Sequence, residues 1–323
     1  MKKVIIHIVR AVIFVSILLV ILFFLSKVMT PKTNNKEDGM FDENANAVLS
    51  EAENTIDVLI IGDSEVYSGF IPPQIWEKHG ITSYCCSTAG QNMAYSLEFL
   101  EKAIEKQSPK VVVMETNQFY RKLSFDDSIM NKLGNILPIF KYHDHWKTLS
   151  LSDFTLDAET EYNYTDVNKG YMFVGKIVPA APDDYMNQTL KSETLSQRNM
   201  SYTNSIKKLC DENDIKLVLV STPSTKNWNN KRHDGMVKLA KQLKCKYIDM
   251  NVLTDEVPID WDKDTYDEGD HMNYYGASKV TEYLGDYLQK MGIFEDHRND
   301  DDYKSWDESL KAFKKVLKKH LKD

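Results

Sequence analysis

Cysteine is scarce in this chain, with four in 323 residues: Cys85, Cys86, Cys210 and Cys245. No CxxC pair occurs and no histidine cluster accompanies them, so metal-ligand spacing is missing and no metal is expected. Adjacent Cys85 and Cys86 would face opposite sides of a strand, which favours buried free thiols over a disulfide. Positive charge is also short. Forty Lys and Arg against 48 Asp and Glu leave a net charge of −8, which disfavours nucleic acid and other polyanions as partners. A Gly-rich phosphate loop is absent after the first apolar run, where Asp63 would repel a phosphate. A nucleotide-binding domain is therefore the weakest alternative, and no dissociable cofactor is expected. Finally, only one apolar run is long enough to cross a bilayer.

That run lies at the N-terminus. "AVIFVSILLVILFFLS", Ala11 to Ser26, is uninterrupted, and "VIIHIV" precedes it with Arg10 able to snorkel. Met1-Lys2-Lys3 forms the basic flank of a cytoplasmic end, although Lys27, Lys32 and Lys36 on the far side blur the orientation. A cleavable signal peptide competes, but "LSKVMTPKT" lacks the small-x-small cleavage pattern. The expectation is an uncleaved anchor, with the bilayer as partner over residues 4–28 and the remainder in one compartment outside the cell.

The remaining composition, 42% hydrophobic and 27% charged, allows a full core without disulfide staples. Residues 1–29 read as the anchor and 30–54 as a polar linker. An α/β domain is expected over 55–294, and a basic amphipathic helix over 295–323. Within the domain, "TIDVLIIG", "TSYCCST", "KVVVMET", "IKLVLVST" and "KYIDM" read as strands, with helical patterns between them. This alternation predicts a doubly wound, mostly parallel sheet with reactive groups at the carboxyl ends of its strands. Residues 118–198 break the rhythm and read as an insertion or cap. The C-terminal helix, with Trp306, Leu310, Phe313, Val316 and Leu317 on one face, reads as docked on the domain before membrane-bound.

The first strand ends abruptly in "VLIIGDSEVYSGF", leaving Ser64 at a tight turn. Gly, Asp and Ser are turn formers, so an ordinary strand end competes with a nucleophile held above a sheet edge. Three further segments fall at strand ends. "STAGQNM" brings Gly90, "METNQFY" brings Asn117, and "YDEGDHMNYYGAS" brings His271 flanked by Asp267, Glu268 and Asp270. A turn glycine, a capping asparagine and a surface ion pair would account for each separately. Together a serine, a base, an acid and two neutral donors are the parts of acyl transfer.

In this order the four segments resemble the blocks of the SGNH (GDSL-type) hydrolase superfamily, over most of residues 56–291. "GDSEVYSGFIPPQIWEKHGITSYCCSTAGQ" is similar to membrane-anchored Gram-positive members. These are related to the protein that serves D-alanine transfer to teichoic acids and to alginate-type polysaccharide O-acetyltransferases. The resemblance implies a flavodoxin-like three-layer α/β/α domain on a parallel five-stranded sheet. It also implies Ser64 as the acylated nucleophile, His271 as base, Gly90 and Asn117 as oxyanion donors, and a membrane-bound O-acyltransferase as acyl donor. The superfamily places its acid three residues before the histidine, where this chain has Glu268; Asp267, Glu268 and Asp270 all stay open for that role. The expected function is an anchored extracytoplasmic acyl enzyme, O-acyltransferase ahead of esterase, acting on a cell-surface glycan or teichoic-acid-type polymer. The alternative is a non-catalytic assembly or binding protein on the same fold.

Overall fold

Runs such as Val58-Leu59-Ile60-Ile61 and Val111-Val112-Val113 are apolar at every position, as strands covered on both faces must be. In the computed structural model, which describes residues 2–156 and 159–321, both runs are fully buried strands. The elements begin α1 (Lys2–Met29), α2 (Glu43–Asn46), β1 (Val58–Gly62), α3 (Ser64–Gly69), α4 (Pro72–His79), β2 (Ser83–Ser87), α5 (Met93–Ile104) and β3 (Val111–Glu115). There follow α6 (Phe125–Ile136), α7 (Gln197–Glu212), β4 (Lys216–Ser221), α8 (Asn230–Leu243), β5 (Lys246–Asp249), α9 (Tyr274–Lys290) and α10 (Lys304–His320). Two units result, Met1–Glu43 with Ser124–Tyr164, and Asn44–Leu123 with Thr165–Asp323.

The larger unit holds a five-stranded parallel sheet in the order β2-β1-β3-β4-β5, the flavodoxin-like arrangement. Alternation divides its strands between two faces. Val58, Ile60, Val111, Val113, Val218, Val220 and Ile248 share a core with Ile71, Ile75, Val280, Leu284 and Leu288 of the α4 and α9 segments. Leu59, Ile61, Val112, Met114 and Leu219 point the other way and are equally buried. Local signals start and stop the helices. Pro72 and Pro73 open α4 and Gly80, at φ +65°, ends it; Asn92 and Asn273 cap α5 and α9 through their side-chain oxygens. All four cysteines are free thiols, and burial pushes Cys245 up to about 11.

The grouping differs from the sequence boundaries in two places. Residues 44–54, expected as linker, pack into the larger unit. Ala45, Ala47, Val48 and Leu49 are buried there, and Glu51 forms a buried ion pair with Lys169 at 2.7 Å. The apolar "AVL" within an acidic stretch has a place to go. The expected insertion 118–198 is split: 124–164 groups with α1, whereas 165–198 stays with the sheet. Residues 170–180 are laid along the larger unit by backbone hydrogen bonds, Met172 N–H to Tyr67 O and Val178 N–H to Thr265 O among them. The C-terminal helix belongs to the same unit as the sheet. Trp306 and Phe313 are buried, with Trp306 5.9 Å from the Trp76 ring and Phe313 6.0 Å from that of Tyr171.

In the smaller unit, α1 is 28 residues with a mean hydropathy of 3.0 over its most apolar window, and that window is wholly exposed. At ~1.5 Å per residue it exceeds the ~30 Å of a hydrocarbon core. A membrane span and a signal sequence share these properties. Its last turn is tied down by Ile139 N–H to Ser26 Oγ (3.4 Å) and by His145 Nδ1 at 2.9 Å from Met29 O.

Candidate active site

β1 ends at Gly62, where only glycine fits: a Cβ would lie 2.5 Å from Val66 Cγ2 and 2.8 Å from Glu115 Cβ. Asp63 then caps α3, its Oδ1 accepting from Glu65 N–H at 3.1 Å. Ser64 is thus the first helical residue, lifted just past the strand end. The parallel register aligns Gly62 with Ser87 and Ile61 with Met114, so β1, β2 and β3 finish along one edge.

His271 reaches that edge from a hairpin. Thr265 and Met272 form an antiparallel bridge, and Glu268 and Gly269 between them have φ of +64° and +90°. Positive φ at both central positions is the demand of a tight two-residue turn. A Cβ on Gly269 would also meet Thr225 Oγ1 at 2.2 Å. The turn decides which acid faces the ring. Asp267 Oδ1 accepts from His271 N–H at 2.8 Å, and its Oδ2 lies 2.6 Å from His271 Nδ1. On the other side of the ring, His271 Nε2 is 2.7 Å from Ser64 Oγ. Glu268 turns to solvent, 3.7 Å from Lys226. Asp270 stands 3.9 Å from Nδ1 and instead accepts from Asn227 Nδ2 at 2.5 Å. The Tyr266 ring stacks on the imidazole at 5.6 Å and 12°.

Ser64, His271 and Asp267 therefore form a continuous chain of hydrogen bonds. Asn117 is joined to the same edge through Asp63, donating from Nδ2 to Asp63 Oδ2 at 3.0 Å while its Oδ1 accepts from Arg232 Nη1 at 2.9 Å. Gly90 sits beyond β2 with φ +67° and a position for Cβ 4.0 Å from Arg121 Nη1.

Several neighbours carry no sequence signal of their own. Asp63 is a buried hub that also pairs with Arg121 Nε. Glu65, beside the serine, is fully buried; its carboxylate oxygens accept from Asn227 Nδ2 (2.9 Å) and Thr222 Oγ1 (3.2 Å). Burial is the chief cause that pushes the Glu65 carboxyl up to about 8, against the nearby charge of His271. Burial works to lower His271, but the hydrogen bond it donates to Asp267 and the charges of Glu65, Asp270 and Asp267 outweigh it and raise the imidazole to about 9. An acid directly after the GDS serine could have been noticed in the sequence; its burial could not.

Glu65, Asp270 and His271 bring ligand-type atoms within 4.8 Å of one another. Both imidazole nitrogens are nevertheless engaged, with Ser64 and Asp267, and the two carboxylates share Asn227 Nδ2. This donor set is occupied by its own hydrogen bonds. It fits proton transfer rather than metal ligation.

The class defined by these observations is a flavodoxin-like α/β domain with a Ser-His-Asp hydrogen-bonded chain at its strand ends. No protein-family model matches the chain, and no curated protein matches it. Similar solved structures include the psychrotrophic esterase EstA from Pseudoalteromonas sp., 8% identical with a TM-score of 0.39 over 74% of this chain and 100% of that one. A GDSL-like lipase from Bacteroides thetaiotaomicron is 13% identical, with a TM-score of 0.38 over 77% and 99%. The lipase/acylhydrolase from Enterococcus faecalis is 8% identical, with a TM-score of 0.39 over 73% and 97%. Likeness at this level assigns no activity to the chain.

Proposed function

We propose that this protein is a serine acyl enzyme of the SGNH type. The observation that carries the reading is the 2.7 Å contact of Ser64 Oγ with His271 Nε2, backed by Asp267 at 2.6 Å from Nδ1. In this reading Ser64 Oγ attacks an ester carbonyl as His271 Nε2 takes its proton. The tetrahedral intermediate collapses, the imidazolium returns the proton to the departing alcohol, and the acyl group remains on Ser64. A second hydroxyl, from water or an acceptor sugar, then repeats the sequence in reverse. Asp267 holds the tautomer and supports the imidazolium. Gly90 N–H and the second N–H of Asn117 Nδ2 serve the oxyanion.

The apolar α1 favours work at a membrane surface, with a membrane-bound O-acyltransferase as acyl donor and a cell-surface glycan or teichoic-acid-type polymer as acceptor. Acyl transfer thus stands ahead of hydrolysis. The test is reaction of the full chain with a fluorophosphonate probe followed by peptide mass spectrometry. Covalent mass on the Ser64 peptide is expected, lost in Ser64→Ala and strongly reduced in His271→Ala. Folded protein that stays unlabelled would leave only a binding or assembly role on the same fold.

A further inference from the structure

Asp63 accepts three hydrogen bonds, from Glu65 N–H, Asn117 Nδ2 and Arg121 Nε. Sharing its carboxylate in this way, it holds the Arg121 guanidinium through Nε alone instead of by the two-pronged pairing that Arg and carboxylate commonly adopt. The Nη1 and Nη2 groups donate no hydrogen bond among the described residues, and a third of the side chain is exposed (34%). Nη1 borders Gly90, the glycine at the end of β2. The other guanidinium of this edge is buried and largely engaged: Arg232 donates from Nε to Ser192 O and from Nη1 to Asn117 Oδ1 and Asn227 O, and its plane covers the Tyr120 ring at 4.5 Å. Of the two, Arg121 is the exposed one, with both Nη groups open to a ligand. Their paired geometry matches a carboxylate or phosphate, not a neutral sugar hydroxyl.

We propose that Arg121 is an anion-binding residue of this site, its free Nη1–Nη2 edge taking a carboxylate or phosphate carried by the ester substrate. The inference rests on the acyl-enzyme reading and adds a substrate class to it. The carboxyl groups of Asp63, Glu115 and Glu65 act on the Arg121 charge.

The test compares three esters on the full chain in detergent. They are phenyl acetate, 4-acetoxybenzoate with its charge on the alcohol, and phenyl hemisuccinate with its charge on the acyl group. Arg121→Gln is expected to lower kcat/KM for one of the charged esters about tenfold or more relative to phenyl acetate, chiefly through KM. Arg121→Lys, which keeps a cation beside Asp63, should recover part of the loss, and added salt should shrink it. Which charged ester responds tells whether the anion sits on the acyl or the alcohol side. An equal loss on all three esters would overturn the proposal. Binding separates it from the enzymatic reading: both charged esters are titrated into Ser64→Ala and into Ser64→Ala with Arg121→Gln. No turnover of any ester by the wild type would defeat the acyl-enzyme reading. Arg121 would still stand if the second substitution weakened binding tenfold, and fall if it did not.

Discussion

Three acidic residues lie within four positions of His271, and a single backbone feature separates them. Glu268 occupies a turn position at φ +64°, which throws its side chain outward, while Asp267 reaches back across the hairpin to the ring. Asp267→Asn is accordingly expected to cut kcat by a hundredfold or more, whereas Glu268→Gln should change it less than about twofold, in line with an exposed surface substitution. Esterase assays on the two variants distinguish them. The raised imidazole adds a pH signature. A base must be unprotonated, so kcat/KM should climb from pH 7, pass its midpoint near 9, where His271 loses its proton, and level off above it. A flat profile across that window would contradict the base role. Stability runs the opposite way. A histidine raised from 6.5 to about 9 contributes stability that is complete below 6.5 and lost as pH passes 9. Glu65, raised from 4.5 to about 8, keeps its proton in the folded state while the unfolded chain ionises, so stability also falls from 4.5 upward. Thermal melts should therefore drop between pH 6 and 9, and Glu65→Gln should flatten the slope.

At the scale of elements, the serine is placed by a strand that stops and the histidine by a hairpin that turns, each at a glycine with no room for a side chain. Gly269→Ala would force a Cβ to 2.2 Å from Thr225 Oγ1 at a φ of +90°. A destabilisation of ~1–3 kcal/mol is expected from strain and overpacking, with a larger loss of activity than of folded protein at 25 °C, read by denaturant titration beside the ester assay. The strands themselves were legible in the sequence, because continuous apolar runs between helical patterns admit few alternatives. Residues 170–180 were not. They form no regular element, and hydrogen bonds to distant segments attach them, those of Met172 to Tyr67, Val178 to Thr265 and Ala180 to Trp261 among them. Such long-range pairings leave no periodic trace. The same holds for residues 44–54, whose polar composition masked the four side chains that bury.

For the whole molecule, the chain separates into a sheet unit that carries every candidate site residue and a smaller unit built on α1 and residues 124–164. The anchor reading belongs to this scale. Full-length protein is expected in the membrane fraction, resistant to alkaline carbonate, with its N-terminal segment retained when the purified chain is sequenced. A mature form starting after residue 29 would make α1 a signal sequence instead.

Sequence alone determined the apolar N-terminal helix, the number and parallel sense of the strands, and the four segments at their ends, because each is written in local pattern: run length, alternation and turn chemistry. Only the tertiary structure decided that Asp267 and not Glu268 or Asp270 meets the imidazole, that Glu65 is buried, and that Arg121 keeps free donors beside Gly90. These depend on backbone angles at single residues and on contacts between positions dozens to hundreds of residues apart, where no local preference reaches.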